Sequence, residues 1–356
     1  MLSLEVATVS RSSTLFECEY PILRHEPNIR RKRAQGYKKR RYNLISEKYG
    51  KVIKGLGGLY EVRVTTADGS TERLVCRAKG VLKRDEAKVL IGDNVTVTVD
   101  DSTPDGIVIS EISERKNSLI RPPLSNLDYL FIVFAAVKPS PVIETVDKLT
   151  AIAEHNSITP VIVITKSDLS SDASLEYAEI YKTAGIPTFI TSSEGGQGIE
   201  ELAGYIKREV REGKLAAFAG ASGVGKSTLM NTLFPRLSLA TAEISRKIER
   251  GRHTTRHVEI YDIEDTPDTG LLADTPGFSL IDFARFDFFS LDELIPTFPE
   301  LLPYVGKCRY ADCAHVGEGE DECAVAKACA EGKIAKTRLE SYRSIYRTLK
   351  SKNLYE

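Results

Sequence analysis

The sequence predicts a multidomain chain: an N-terminal five-stranded antiparallel barrel of the oligonucleotide-binding (OB) type, a central α/β domain of the P-loop class, and a small C-terminal α-helical zinc domain. Three observations predict it. Short alternating runs broken by glycines fill residues 47–112, continuous apolar strands alternate with helical stretches from residue 129 onward, and four of the six cysteines fall between Cys308 and Cys329. The expected limits are a basic flexible arm at 1–45, the barrel at 46–118, the α/β domain at 119–285 and the zinc-binding helical domain at 286–356. With 356 residues the chain is long enough for two or three cores.

A formal net charge of −1 conceals a local asymmetry. Between Arg24 and Lys54 stand twelve Lys or Arg residues against only Glu26 and Glu47, and the run RRKRAQGYKKRR reads as a mobile basic arm. Such runs point to nucleic acid or an anionic surface, with a solvated tail as the plain alternative. The longest apolar run, Tyr129 to Val137, has the length of a buried strand and not of a membrane span, so a soluble protein with no membrane contact is expected. Met1 to Tyr20 does not read as a signal peptide, because Glu5 interrupts its short apolar start. Clustered cysteines favour metal ligation in a reducing compartment over a disulfide framework. A cytoplasmic monomer is the expectation.

Within the barrel, Lys51 to Ile53, Leu59 to Thr65, Glu72 to Arg77 and Asn94 to Val99 alternate as half-buried strands do, and Gly57-Gly58, Asp68-Gly69 and Gly92-Asp93 mark turns between them. Barrels of many functions share this texture. The basic arm with Lys79, Lys83, Arg84 and Lys88 adds the suggestion of a nucleic-acid face. In the central region, strands at Tyr129–Ala136, Val161–Thr165 and Pro187–Thr191 alternate with helical stretches at Val142–His155, Glu176–Ala184 and Ile199–Val210, the pattern of a mostly parallel sheet with helices on both faces.

The next apolar run, Leu215 to Ala219, leads into GASGVGKS, which is Gly220, Ala221, Ser222, Gly223, Val224, Gly225, Lys226 and Ser227, followed by Thr228 at the start of a helix-like segment to Phe234. Strand, glycine-rich loop and helix are the context a phosphate-binding loop needs. Its backbone N–H groups and the helix N-terminus face a polyphosphate, Lys226 reaches the β and γ phosphates, and the Ser227 hydroxyl coordinates magnesium.

Thr165-Lys166-Ser167-Asp168 closes an apolar strand and is similar to the guanine-recognition motif N-K-x-D. A carboxylate at Asp168 accepts from guanine N1–H and the exocyclic amine, a donor pair that adenine lacks. Thr165 replaces the usual Asn, which predicts a weaker base or loop contact. Ser192, within Thr191-Ser192-Ser193 after the next strand, fits a second base-contacting loop. Asp274-Thr275-Pro276-Gly277 ends the strand Gly270 to Ala273, with Asp274 placed for a water-mediated magnesium contact and the Gly277 N–H for a γ phosphate. Thr254 and Thr255 in Gly251-Arg252-His253-Thr254-Thr255 are candidates for a switch that closes on magnesium. In the usual order the phosphate loop comes first; here the base-recognition elements precede it. The α/β domain therefore reads as a circularly permuted GTPase domain, with the old termini joined around Arg208 to Lys214. A metabolic nucleotide kinase fits less well, because TKSD and DTPG suit a switch better than an acceptor site.

Taken in order, TKSD, GASGVGKS, GRHTT, DTPGF and the cysteine cluster resemble the ribosome small-subunit-dependent GTPase A family over about residues 46–350. The resemblance implies an OB barrel, a permuted GTPase and a zinc domain. It also implies a role in late maturation of the small ribosomal subunit, contact with that subunit and its rRNA, and GTP hydrolysis to GDP stimulated by it. Outside ribosome assembly, the alternative is a GTP-regulated RNA- or protein-binding module.

Phe278 stands where many GTPases place a glutamine and cannot orient water through a hydrogen bond. His253 is the best local replacement, the resemblance supports a catalytic histidine in this motif, and His257 is the weaker choice. Intrinsic turnover on the order of 10⁻⁴ to 10⁻² per second is expected. Cys308, Cys313, His315 and Cys323 supply a closed tetrahedral set for one structural zinc per chain, although spacing alone also allows buried free thiols beside a lone histidine. The resemblance selects these four, and Cys329 is spare. Ile334 to Leu349 reads as a helix with Leu339, Tyr342, Tyr346 and Leu349 on one face and Arg338, Arg343, Arg347 and Lys350 turned to solvent, equally compatible with RNA contact and with simple packing.

Overall fold

Alternating valines and isoleucines build the first layer. In the computed structural model, which describes residues 45–66, 69–80, 88–100, 106–235, 258–264, 266, 268–274 and 288–352, strands β1 (Ile45–Leu56), β2 (Leu59–Thr65), β3 (Thr71–Ala78), β4 (Asn94–Asp100) and β5 (Ile107–Ile112) close a barrel in the order β1-β2-β3-β5-β4. Val52, Val62, Val64, Val95, Val97 and Ile109 fill it. The sequence pattern implied an all-antiparallel barrel. In the structure β3 and β5 run parallel, Arg77 beside Val108 and Ala78 beside Ile109. An odd number of strands cannot alternate direction around a closed ring, so one seam has to be parallel. The basic arm to residue 44, Lys83 and Arg84, the segment 236–257 and the segment 275–287 lie outside the described residues.

A short linker fixes the barrel to the central sheet. Asp93 is fully buried, and its carboxylate accepts from Arg115 Nε at 2.7 Å, Ser125 Oγ at 2.7 Å and the Leu90 N–H at 2.8 Å. Asn117 pairs with the Leu127 backbone in both directions, at 2.8 and 2.9 Å. The two-stranded β6 (Ser118–Leu119) and β7 (Leu124–Ser125) lie between them.

The central sheet holds β8 (Tyr129–Ala135), β9 (Thr159–Thr165), β10 (Thr188–Ile190), β11 (Leu215–Ala219), β12 (Glu259–Asp262) and β13 (Leu271–Asp274) in the order β10-β9-β8-β11-β13-β12. All neighbours are parallel except the edge strand β12, which is antiparallel to β13. Every residue of β8 is buried, as a central strand covered on both faces requires. The period of two sorts them: Tyr129, Phe131 and Val133 pack with Phe218, Leu202 and Ile206 on one face, while Leu130, Ile132 and Phe134 pack with Leu149, Ile152 and Tyr181 on the other. Helices α1 (Ile143–His155) and α2 (Ser171–Thr183) thus cover one face, and α3 (Ile199–Glu209) and α4 (Lys226–Leu233) the other. The expected mostly parallel sheet between two helical layers is present.

The C-terminal region adds two short 3₁₀ turns, Ile295–Thr297 and Pro299–Tyr304, then α5 (Ala324–Ala330) and α6 (Lys336–Lys352). Leu339, Tyr342 and Leu349 of α6 are buried as expected, and Arg347 and Lys350 are exposed. Arg338 was expected at the surface and is fully buried instead. Its guanidinium donates to Asp147 of α1 at 2.8 Å, to Thr150 Oγ1 at 2.8 Å and to Glu300 at 2.7 Å, and lies 4.5 Å from the centre of the Phe298 ring. Two acids far away in sequence supply what helical periodicity could not reveal. Arg343 also turns inward, to the His315 carbonyl at 3.0 Å. Among the described residues no helix is long and apolar enough to cross a membrane.

Removing Arg338 leaves two buried carboxylates without their counter-charge, so Arg338→Met should destabilise the packing of α6 on α1 by about 3–5 kcal/mol. Thermal unfolding checks this; a midpoint equal to that of the unaltered protein contradicts the anchoring role.

Candidate functional site

Parallel strands place their carboxyl ends on one rim, and open α/β sheets bind ligands there. Here that rim carries Thr165 at the end of β9, Ser192 just beyond β10, Gly220 after β11 and Asp274 at the end of β13. The base-recognition and phosphate-loop candidates, 57 and 59 positions apart where they touch, meet at this edge.

The phosphate loop leaves β11 tightly against β8. A Cβ on Gly220 would lie 2.2 Å from the Val133 carbonyl oxygen, so only glycine passes here. Ala221, Ser222 and Gly223 are exposed on the loop, Val224 is buried beneath it, and Gly225, left-handed at φ +92°, stands immediately before α4. Lys226 opens the helix and its ammonium donates to the Gly220 carbonyl at 2.9 Å, folding the side chain back over the loop. Burial lowers the Lys226 pKa from the usual lysine value and the Asp274 charge opposes this. Asp274 in turn is raised by burial and by Glu259, with Lys226 acting against both. Ser227 and Thr228 are exposed in the first turn of α4, where a phosphate-bound ligand and its magnesium can reach them.

Thr165 holds the base loop to the loop that follows β11. Its buried hydroxyl bonds the Val224 carbonyl at 2.5 Å and the Phe134 carbonyl at 3.2 Å, tying β9 to the loop after β11. Lys166 adopts a left-handed backbone at φ +58° and stretches across the loop, donating to the Gly223 carbonyl at 2.8 Å and the Lys138 carbonyl at 2.5 Å. Asp168 is exposed, and its Oδ1 accepts from Ser192 Oγ at 2.5 Å, so the carboxylate is oriented from one side and open on the other. One residue that motif reading missed completes the pair of loops. Gln197 accepts from Ser167 Oγ at 3.0 Å, and its carbonyl accepts from the Ser192 N–H at 3.0 Å. A lone glutamine in a Gly-rich loop offers no spacing that would have singled it out.

His253, Thr254, Thr255 and Gly277, together with His257 and Phe278, lie outside the described residues.

The second cluster is built by the C-terminal turns. Cys308 Sγ, Cys313 Sγ and Cys323 Sγ lie 3.5, 3.4 and 3.4 Å from His315 Nδ1, and the Cys308 and Cys323 sulfurs are 3.9 Å apart. Four ligand atoms at metal–sulfur distances near 2.3 Å around a tetrahedral ion stand about 3.7 Å from one another, so the donor set fits a metal ion. Surrounding hydrogen bonds orient the ligands: the Ala326 N–H donates to Cys323 Sγ and the Ala324 N–H to Cys308 Sγ, both at 3.4 Å, and Tyr342 and Arg343 of α6 hold the Ala314 and His315 carbonyls. Cys329 lies outside this group of four, and burial raises its thiol above the ordinary range.

Barrel, permuted P-loop domain and Cys₃His segment together define a circularly permuted GTPase with an OB-type N-terminal barrel. The chain belongs to the RsgA GTPase family. A family model described as RsgA GTPase matches residues 112–284, and one described as RsgA N-terminal domain matches residues 49–108. The protein named small ribosomal subunit biogenesis GTPase RsgA in Bacillus velezensis is 38% identical over 309 residues, covering 85% of this chain and 98% of its own length. Its counterpart in Bacillus subtilis is 37% identical over 298 residues, covering 82% and 94%. Among solved structures, YloQ, titled a circularly permuted GTPase, aligns with a TM-score of 0.68 at 33% identity, covering 86% of this chain and 96% of that one. YjeQ from Thermotoga maritima aligns at 0.68 and 31% identity, covering 85% and 99%.

An exposed carboxylate held by Ser192 has a direct test. Asp168→Asn exchanges one acceptor for a donor, which suits the C2 carbonyl of xanthine and not the amine of guanine. The variant should bind GDP about a hundred-fold more weakly and gain affinity for xanthosine diphosphate. Unaltered GDP affinity, measured by calorimetry, contradicts the base-recognition role.

Proposed function

We propose that this chain is a GTP-hydrolysing switch in late maturation of the small ribosomal subunit. The observation that carries it is the meeting of Asp168 and Ser192 with the Gly220–Thr228 loop on one rim, in a chain whose relatives bear the name small ribosomal subunit biogenesis GTPase. Barrel and C-terminal domain, with limits at 46–118 and 286–356 around a GTPase domain at 119–285, grip the subunit and its rRNA. Residues after Gly277 carry the nucleotide state to them. The chain acts as a monomer in the cytoplasm.

In this reading Thr165, Lys166, Asp168 and Ser192 select guanine. Gly220, Ala221, Ser222, Gly223, Val224 and Gly225 wrap the phosphates with backbone N–H groups, and Lys226 leaves the Gly220 carbonyl for the β and γ phosphates. Ser227 would hold magnesium directly, Asp274 would hold it through water, and Thr254, Thr255 and the Gly277 N–H would sense the γ phosphate. Magnesium, when bound, neutralises charge on the β and γ oxygens. His253 orients the attacking water, the task Phe278 cannot perform. Cys308, Cys313, His315 and Cys323 hold one zinc that shapes the C-terminal segment.

Turnover of GTP by the purified chain, alone and with small subunits, tests the reading, with large subunits and ATP as controls. Strong stimulation by small subunits and GTP only is expected, and His253→Ala should abolish the stimulated rate while retaining GTP binding. Equal turnover under all four conditions would remove the ribosomal role and favour a GTP-regulated binding module. Metal analysis should return one zinc per chain, and Cys323→Ser should lose it and lower the unfolding temperature; a metal-free protein of the same stability contradicts the zinc site.

A further inference from the structure

Edge strand β12 is where the barrel and the nucleotide rim meet through charge. Lys54 Nζ of β1 bonds Glu259 Oε1 at 2.9 Å, at the start of β12. At its other end Arg63 Nε of β2 bonds Asp262 Oδ1 at 2.6 Å, with Arg73 of β3 at 3.8 Å from Oδ2. The strand is therefore held at both ends by barrel side chains. Lys54 and Glu259 are partly exposed, so their pairing can be made and broken without unfolding either part.

Register gives this contact its reach. Glu259 pairs directly with Asp274 across the antiparallel β12–β13 ladder. Residues directly opposite in such a ladder carry their side chains on the same face with Cβ atoms about 5 Å apart. Glu259 thus places a second carboxylate beside the one assigned above to magnesium, and Lys54 of the barrel neutralises it.

We propose that Lys54 is a positioning residue of the nucleotide site: by pairing with Glu259 it sets the negative charge beside Asp274, and so the strength with which magnesium is held together with the nucleotide. The inference rests on the assignment of Asp274 to magnesium. It gives the barrel a route to the nucleotide that does not run through the chain after Gly277. A partner that draws Lys54 away exposes the Glu259 charge and tightens the hold on the cation.

The test is equilibrium binding of a fluorescent non-hydrolysable GTP analogue to the full chain, in excess magnesium and in EDTA. The ratio of the two affinities is the magnesium-dependent gain. Lys54→Ala should raise this gain by about three-fold, the effect of one partly solvated charge at close range, and Lys54→Arg should restore it. Glu259→Gln should lower it, and once Glu259→Gln is present Lys54→Ala should have no further effect. A staple with only a structural role predicts otherwise: a lower unfolding temperature for Lys54→Ala with the gain unchanged, or the same change in gain with and without Glu259. Either result overturns the inference. A wild-type protein with no magnesium-dependent gain overturns the assignment of Asp274 as well, and so separates the two failures.

Discussion

The hydrogen bond from Thr165 to the Val224 carbonyl is the contact on which the nucleotide site depends. Permutation of the chain puts the base-recognition loops before the phosphate loop, so covalent connection does not hold them in register. The sheet and two side chains do so. Thr165 ties the end of β9 to the loop, and Lys166 reaches the Gly223 carbonyl from above. These two bonds cost the base loops little freedom, because β8, β9 and β11 already lie side by side with fully buried central residues. The rigid sheet sets the spacing, and the two side chains set the last ångström.

The same logic recurs at the flanks of the sheet, with larger charges. Asp93 with Arg115 fastens the linker to the barrel, and Arg338 with Asp147 and Glu300 fastens α6 to α1. Buried ion pairs add modest net stability but penalise alternative packings heavily, since each wrong arrangement strands a charge. The Cys₃His cluster works alongside Arg338, because Tyr342 and Arg343 of the same helix hold the carbonyls next to His315. Helix α6 thereby couples the Cys₃His segment to the GTPase core.

Much of this was legible in the sequence, and the reasons differ by element. The strand–loop–helix passage at Gly220 could be read because glycine is the one residue that passes Val133 there. The grouping of Cys308, Cys313, His315 and Cys323 could be read because few residue types bind metal ions. Strand β5 was not singled out, as Ser110 and Glu111 blur its alternation. Arg338 was placed on the wrong side because helical periodicity carries no information about acids contributed from residues 147 and 300. The Thr165 bond and Gln197 were likewise set by tertiary contacts that local pattern does not encode.

The central claim is that loops from both sides of the permutation form one guanine-selective site. Calorimetric titration of the purified chain with GDP and with ADP tests it most directly. The account predicts one GDP per chain, with ADP at least about a hundred-fold weaker because adenine lacks the donor pair that Asp168 requires. Equal affinity for the two nucleotides would contradict it.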